Sequence, residues 1–226
     1  MKLLLFDIDG TLLHSGGAGK RAMVVAFEQV YGVADGFHDI RMSGKTDGAI
    51  LREALDMQNL PWVGNQVDHF RKTYFQLLEQ EIKILTDMQR LMPGVRPLLE
   101  RLRGQPHLVL GLLTGNWCRS GFIKLQHFGL DSYFQLGSFA DDSERREELL
   151  PFVVQRFQAK YAQPLSAGDI FVIGDTPSDI RCARPHGVRT VAVATGPYTI
   201  AELKTENPDF PFEDFSAIEE VVKIFL

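Results

Sequence analysis

Four consecutive apolar residues, Leu3–Phe6, open the chain and stop at Asp7. A short apolar run without alternation is the pattern of a strand buried on both faces, as in a parallel sheet covered by helices. The pattern recurs at Leu108–Leu113 (LVLGLL), Ile170–Ile173 (IFVI) and Thr190–Ala194 (TVAVA), with a weaker version at Tyr133–Leu136. Between these runs the apolar residues fall at helical spacing. Phe122, Ile123 and Phe128 lead to Gly129, a helix stop, and Val153, Val154, Phe157 and Tyr161 follow Pro151. Thr176-Pro177 reads as an N-cap and first-turn pair, with Gly187 as the end of that helix. Ser216–Leu226 reads as a final helix packed on the core. Strand–helix alternation predicts a doubly wound α/β core built on a parallel sheet.

The first two strong runs are too far apart for one crossover. About a hundred residues lie between them, and a crossover helix needs only a dozen or so. The interval is helical. Met23, Phe27, Val30 and Tyr31 share one face, as do Ile50, Leu51, Ala54 and Leu55, and again Val67, Phe70, Tyr74, Leu77 and Leu78. Residues 14–91 therefore read as an inserted all-helical domain, flanked by core segments 1–13 and 92–226, with Met92-Pro93-Gly94 as the return hinge. No internal repeat or low-complexity tract interrupts this plan.

Composition narrows the partners. The 226 residues carry 24 Lys and Arg against 29 Asp and Glu, a net charge of −5. That balance, without a basic run, argues against nucleic acid. No apolar stretch is long enough to span a bilayer, and the apolar start breaks at Asp7, too early for a secretory leader. Two distant cysteines, Cys118 and Cys182, read as free thiols in a reducing cytoplasm.

Candidate chemistry lies where the apolar runs end. In parallel α/β sheets, ligands bind beyond the carboxyl ends of the strands. Asp7-Ile8-Asp9-Gly10-Thr11, Thr114-Gly115-Asn116 and Gly174-Asp175-Thr176-Pro177-Ser178-Asp179 then converge, with up to four carboxylates in one crevice. Two anions ~4 Å apart repel by ~4 kcal/mol at an effective dielectric of ~20. Such a cluster raises its own pKa values or recruits a cation, and all-oxygen ligands suit Mg²⁺. Thr114 and Asn116 bring a hydroxyl, an amide and a helix start at Asn116, an anion seat. A cation clamp facing an anion seat fits phosphoryl transfer.

These residues match a family. Asp7-Ile8-Asp9-Gly10-Thr11 resembles the first signature of the haloacid dehalogenase superfamily in its phosphatase form, Asp-x-Asp-x-Thr. Leu113-Thr114-Gly115-Asn116 resembles the second signature, and Gly174 to Asp179 the fourth. The helical insert after the first signature is similar to the phosphoglycolate phosphatase-like branch. The resemblance implies a Rossmann-like core and a helical cap. It implies Asp7 as nucleophile, forming an aspartyl-phosphate, and Asp9 as general acid and then base. It further implies Mg²⁺ on Asp7, the Asp9 backbone carbonyl and Asp175, with Asp179 supporting that shell. Thr114, Gly115 and Asn116 would bind the phosphoryl oxygens of a small phosphorylated metabolite. The third signature departs from the family: where a Lys is usual, only Arg145 and Arg146 are available, and Arg146 is taken as the substitute.

Other features carry competing readings. Arg145 and Arg146 stand in a charged run that a solvated loop would also explain. Gly16-Gly17-Ala18-Gly19-Lys20 lacks Walker spacing and reads as a flexible hinge into the insert. Ser43-Gly44-Lys45-Thr46-Asp47 stands at the start of an insert helix and reads either as a loop with a cap or as a segment that sends Lys45 into the crevice toward an anionic substrate group. His14 is a weaker candidate of the same kind, and Trp117 either lines the crevice or covers its helix. A phosphosugar mutase is a related alternative, ranked lower because that branch commonly carries Val where Thr11 stands. A non-catalytic phospho-acceptor module would use the same acidic crevice.

Overall fold

The apolar run at Leu3–Phe6 lies at the centre of the molecule. In the computed structural model, which describes residues Met1–Leu226, it forms β1 (Lys2–Phe6). There follow β2 (Leu13–Ser15), α1 (Ala18–Tyr31), α2 (Asp47–Met57), α3 (Gly64–Glu81), β3 (Gln89–Leu91), α4 (Val95–Arg103), β4 (Leu108–Leu113) and α5 (Cys118–His127). The chain continues through β5 (Leu136–Ser138), α6 (Leu149–Tyr161), β6 (Ile170–Gly174), α7 (Pro177–Ala183), β7 (Arg189–Val193), α8 (Ile200–Lys204), β8 (Phe210–Phe212) and α9 (Ile218–Lys223). Six strands form one parallel sheet in the order β5-β4-β1-β6-β7-β8. The predicted α/β class is the observed one.

Why a continuous apolar run was needed is visible in β1. Successive side chains point to opposite faces, and helices cover both. Leu4 and Phe6 pack with Leu98 and Leu99 of α4, Leu125 of α5 and Val222 of α9. Leu3 and Leu5 pack with Val153 and Phe157 of α6 and Cys182 of α7. Between α1 and α3 a separate apolar cluster forms around Phe27, Leu51, Phe70 and Tyr74. The chain leaves and rejoins the core at one place, where β2 and β3 pair antiparallel with Leu13 opposite Leu91. No helix is long and apolar enough to cross a membrane.

Two expectations need correction, and two elements, α4 and β8, lay outside them. The weak strand is not Tyr133–Leu136: Asp131–Tyr133 is a 3₁₀ turn and pairing begins at Leu136, opposite Gly111. Tyr133 and Phe134 bury their rings in the core from that turn, so their hydrophobicity marks burial without a ladder. The helix after Thr176 stops at Ala183, ahead of Gly187. Pro185 has no N–H to continue the ladder, and the chain tightens into a 3₁₀ turn, Arg184–His186, before Gly187. Met92-Pro93-Gly94 leads directly into α4, a helix the hinge reading left out. At the sheet edge, β8 is three residues with a central proline, tolerated because an edge strand has a free side.

Candidate active site

β1 and β6 are neighbours, while the chain runs from β1 to β4 on one side and from β6 to β7 on the other. A crevice opens at such a switch point, beyond the strand carboxyl ends. Asp7 follows β1, Thr114 follows β4 and Asp175 follows β6, so parallel register alone brings all three to it. Asp7, Asp175 and Asp179 are buried, and one ligating oxygen of each lies within 4.8 Å of the others.

Each carboxylate is held differently. Asp175 accepts the Thr11 hydroxyl at 2.7 Å and is clasped by backbone. A Cβ on Gly10, which has φ +85°, would stand 2.3 Å from Asp175 Oδ2, and one on Gly196 would stand 1.8 Å away. Asp179 closes the capping box of α7, accepting from the Thr176 N–H at 2.9 Å and the Thr176 hydroxyl at 2.7 Å. Its other oxygen accepts from Arg146. The same guanidinium nitrogen lies 3.2 Å from Asp7 Oδ2.

Arg146 is thus buried, and the solvated-loop reading does not describe it. It opens a 3₁₀ turn that runs into α6, and the buried Leu149 and Leu150 pin that turn to the core. Arg145 behaves as the solvated reading expects, pairing with Glu147 and Glu148 at the surface.

Electrostatics follow from this enclosure. Burial pushes the Asp7 carboxyl up to about 6, with Arg146 pulling it back and Asp179 adding to the rise. Burial also drives Asp175 well above the usual carboxylate range, and the neighbouring Asp179 and Asp7 reinforce it. Burial opposes the Arg146 charge, but Asp179 and Asp7 outweigh it and hold the guanidinium above its ordinary value. Three carboxylates therefore face one cation, a hard-oxygen set with a deficit of positive charge. That composition fits a divalent cation such as Mg²⁺.

The anion seat faces the cluster. Thr114 is fully buried and its N–H donates to Ser138 at 3.2 Å. The Asn116 amide donates to the Thr114 hydroxyl at 2.9 Å and to Asp9 Oδ2 at 2.9 Å. Gly115 allows close approach: a Cβ there would stand 2.2 Å from the Lys45 carbonyl oxygen. Asn116 does not begin the helix, because Trp117 is the N-cap and α5 starts at Cys118. Trp117 covers its helix, packed in the insert among Phe70, Tyr74 and Phe75.

Two placements differ from the sequence reading. The Asp9 carboxylate is turned away from the acidic cluster toward α5, so the third clustered carboxylate is Asp179, and Asp9 could join a metal only through its backbone. The Lys45 ammonium pairs with Glu53, one partner it can reach along its own segment, and so does not stand free in the crevice. His14 sits in β2, its Nδ1 3.1 Å from the Gly16 N–H. Both Lys45 and His14 still border the cavity of about 510 Å³ that opens over Asp7, with Met23, Ile50 and Tyr74 of the insert on its far wall.

Sequence reasoning missed Lys124. It lies in α5, 5% exposed, and its ammonium donates to Asn116 Oδ1 at 2.7 Å and to Asp9 Oδ2. A signal existed: helical side chains lean toward the helix N-terminus, and Lys124 stands one turn after Ser120 on the face that begins beside Asn116. Asp47, which stands near Lys45 at the start of an insert helix without a role read from the sequence, is the first residue of α2. Its buried carboxylate accepts from the Trp117 N–H at 2.8 Å and the Ser120 hydroxyl at 2.9 Å. Cys118 and Cys182 are free and take no part, and burial pushes the Cys182 thiol up to about 12.

Comparison with known proteins agrees with this geometry. A phosphoglycolate phosphatase of Synechococcus elongatus is 26% identical over 228 residues, covering 98% of this chain and 97% of its own. One from Vibrio parahaemolyticus is 25% identical over 239 residues, covering 99% and 97%. The crystal structure of a hydrolase from Pseudomonas syringae has the same fold, with a TM-score of 0.70 at 21% identity over 100% of both chains. The family model for haloacid dehalogenase-like hydrolases matches residues 4–193, and the chain belongs to that family.

Proposed function

We propose that this protein is a Mg²⁺-dependent phosphomonoester phosphatase acting on a small phosphorylated metabolite through an aspartyl-phosphate. The observation that carries the reading is the convergence of Asp7, Asp175 and Asp179 with Arg146 and the Thr114–Asn116 seat at the carboxyl ends of the central strands. The Arg146 Nε is buried without a protein partner, a donor that gains when an anion or water meets it. Relatives named phosphoglycolate phosphatase support the reaction class, and 2-phosphoglycolate is the first compound to test.

In this reading Asp7 attacks phosphorus and the bond to the leaving oxygen breaks while Asp9 gives that oxygen a proton. Water then attacks phosphorus, gives a proton to Asp9 and frees Asp7. Arg146 braces Asp7 and neutralises transferred oxygens, though a guanidinium serves as no proton donor. Thr114, the Gly115 backbone and Asn116 hold the phosphoryl oxygens. Asp7, the Asp9 backbone carbonyl and Asp175 would hold Mg²⁺, with Asp179 fixing Arg146 and the nearby shell. The cation supplies charge neutralisation for the phosphoryl group and keeps Asp7 ionised. Residues 14–91 act as a cap that excludes water from the acyl phosphate, and Lys45 lies at its margin. The two free thiols, Cys118 and Cys182, support a reducing compartment such as the cytoplasm.

Phosphate release from 2-phosphoglycolate and 4-nitrophenyl phosphate, assayed with Mg²⁺ and with chelator, tests the proposal. Mg²⁺-dependent release that disappears in Asp7→Asn supports it. Release that survives Asp7→Asn, or stable phosphorylation without turnover, overturns it.

A further inference from the structure

A charged Lys in the interior costs several kcal/mol of desolvation unless its partners repay it. An apolar side chain of similar length would serve α5 at lower cost. Lys124 is nevertheless retained in the interior, with its side chain 6% exposed, against a carboxylate whose own side chain is 42% exposed. Both residues line the cavity, the lysine almost wholly enclosed and the carboxylate open to it.

The contacts are specific to individual atoms. Asp9 Oδ2 accepts two N–H donors, Lys124 Nζ and Asn116 Nδ2, the latter at 2.9 Å. Lys124 also donates to Asn116 Oδ1 at 2.7 Å, which fixes the amide so that its NH₂ faces Asp9 and Thr114. The ring is closed: ammonium to amide oxygen, amide nitrogen to carboxylate, carboxylate to ammonium. No protein group donates to Asp9 Oδ1. From the insert, Gly19 lies against the ammonium: a Cβ there would stand 3.5 Å from Nζ and 3.7 Å from the Tyr74 hydroxyl.

We infer that Lys124 is a positioning residue that orients Asp9, occupying Oδ2 so that Oδ1 alone is presented to the cavity to carry the proton. An oxygen that already accepts two N–H bonds has no room for a proton of its own. The inference rests on the phosphatase reading of the site. As the Asp7–phosphorus bond forms and the phosphorus–oxygen bond of the ester breaks, the proton on Oδ1 passes to the departing oxygen. In the second half, water adds to phosphorus, its proton returns to Oδ1, and the Asp7–phosphorus bond breaks. Lys124 exchanges no proton in either half and acts only through Asp9 and Asn116.

Leaving-group dependence separates this role from a merely structural one. Phenyl phosphate needs its leaving oxygen protonated far more than 4-nitrophenyl phosphate does, and the two are similar in shape. The ratio of their kcat/KM values is independent of how much enzyme is folded. Lys124→Met should lower kcat/KM for phenyl phosphate by ~100-fold and for 4-nitrophenyl phosphate by ~10-fold, a ~10-fold change in the ratio typical of lost acid catalysis. Asp9→Asn should change the ratio in the same direction, and Lys124→Arg, which keeps charged N–H donors, should move it back toward wild type. Equal losses on both substrates in Lys124→Met, with the wild-type ratio retained, overturn the inference and leave the lysine a packing group. If Lys124→Met does not fold, a Lys124→Arg ratio more perturbed than that of Asp9→Asn overturns it as well. Failure of the phosphatase reading looks different: wild type and Asp7→Asn would then release phosphate equally from both esters.

Discussion

A methyl group at residue 196 would stand 1.8 Å from Asp175 Oδ2. The glycine there is therefore part of the acidic site although it carries no functional group. Asp175 is enclosed by backbone on two sides and by the Thr11 hydroxyl on a third, which leaves its carboxylate one orientation. Gly196→Ala must displace that carboxylate, and a misplacement of about 1 Å costs on the order of 100-fold in rate. Phosphate release is expected to fall by about that factor, while far-UV circular dichroism stays that of the wild type; wild-type activity in this variant would show that Asp175 is not held as described. Arg146 belongs to the same scale. Its charge was legible in the chain, but its choice over Arg145 was decided by the turn that buries one and leaves the other at the surface.

Between elements, the insert meets the core through the start of α2. Thr46 caps that helix, and Asp47 buries its carboxylate against the N-terminal turn of α5. Burial raises the Asp47 pKa from 3.8 to about 6, against the pull of Lys124 and the hydrogen bonds from Trp117 and Ser120. A carboxyl whose pKa is higher folded than unfolded favours the folded state while it is protonated. Its contribution is fully present below pH 3.8 and is lost as pH rises through about 6. The change over that window is roughly 3 kcal/mol. Asp47→Asn keeps an acceptor for both donors and removes the titration. Urea unfolding from pH 4 to 7 should therefore show wild type losing stability relative to Asp47→Asn, mostly by pH 6.5; parallel curves would contradict the burial argument. The ion pairs between insert and core, Arg52–Glu144, Arg71–Asp141 and Arg119–Glu79, are partly exposed and each contributes at most ~1 kcal/mol.

At the scale of the whole molecule, the acidic cluster joins segments that fold from opposite ends of the chain, so a cation bound there stabilises the assembled fold and not the unfolded chain. Mg²⁺ at about 100 times its dissociation constant should raise the unfolding free energy by ~2.7 kcal/mol. Thermal melts with and without Mg²⁺ read this directly, and Asp175→Asn should abolish most of the shift. An equal shift in that variant would move the cation away from this cluster. The sheet that brings these residues together was legible because its central strands are buried on both faces. Such strands must be apolar throughout, and Leu3–Phe6, Leu108–Leu113 and Ile170–Ile173 announce themselves by that alone. The carboxylates of the proposed active site were legible because they stop those runs. What short-range pattern could not reveal is whatever depends on partners distant in the chain. Tyr133 and Phe134 are buried without being a strand, and β8 is a strand that no apolar run announces. Lys45 finds Glu53 before it finds the crevice, and Lys124 finds Asp9, 115 residues away along the chain. Local sequence determined which segments had to be inside and which charges stood at their ends, because hydrophobic burial is read residue by residue. Only the tertiary structure decided which oxygen meets which nitrogen, because a buried charge is stable only beside partners that folding brings within hydrogen-bond reach.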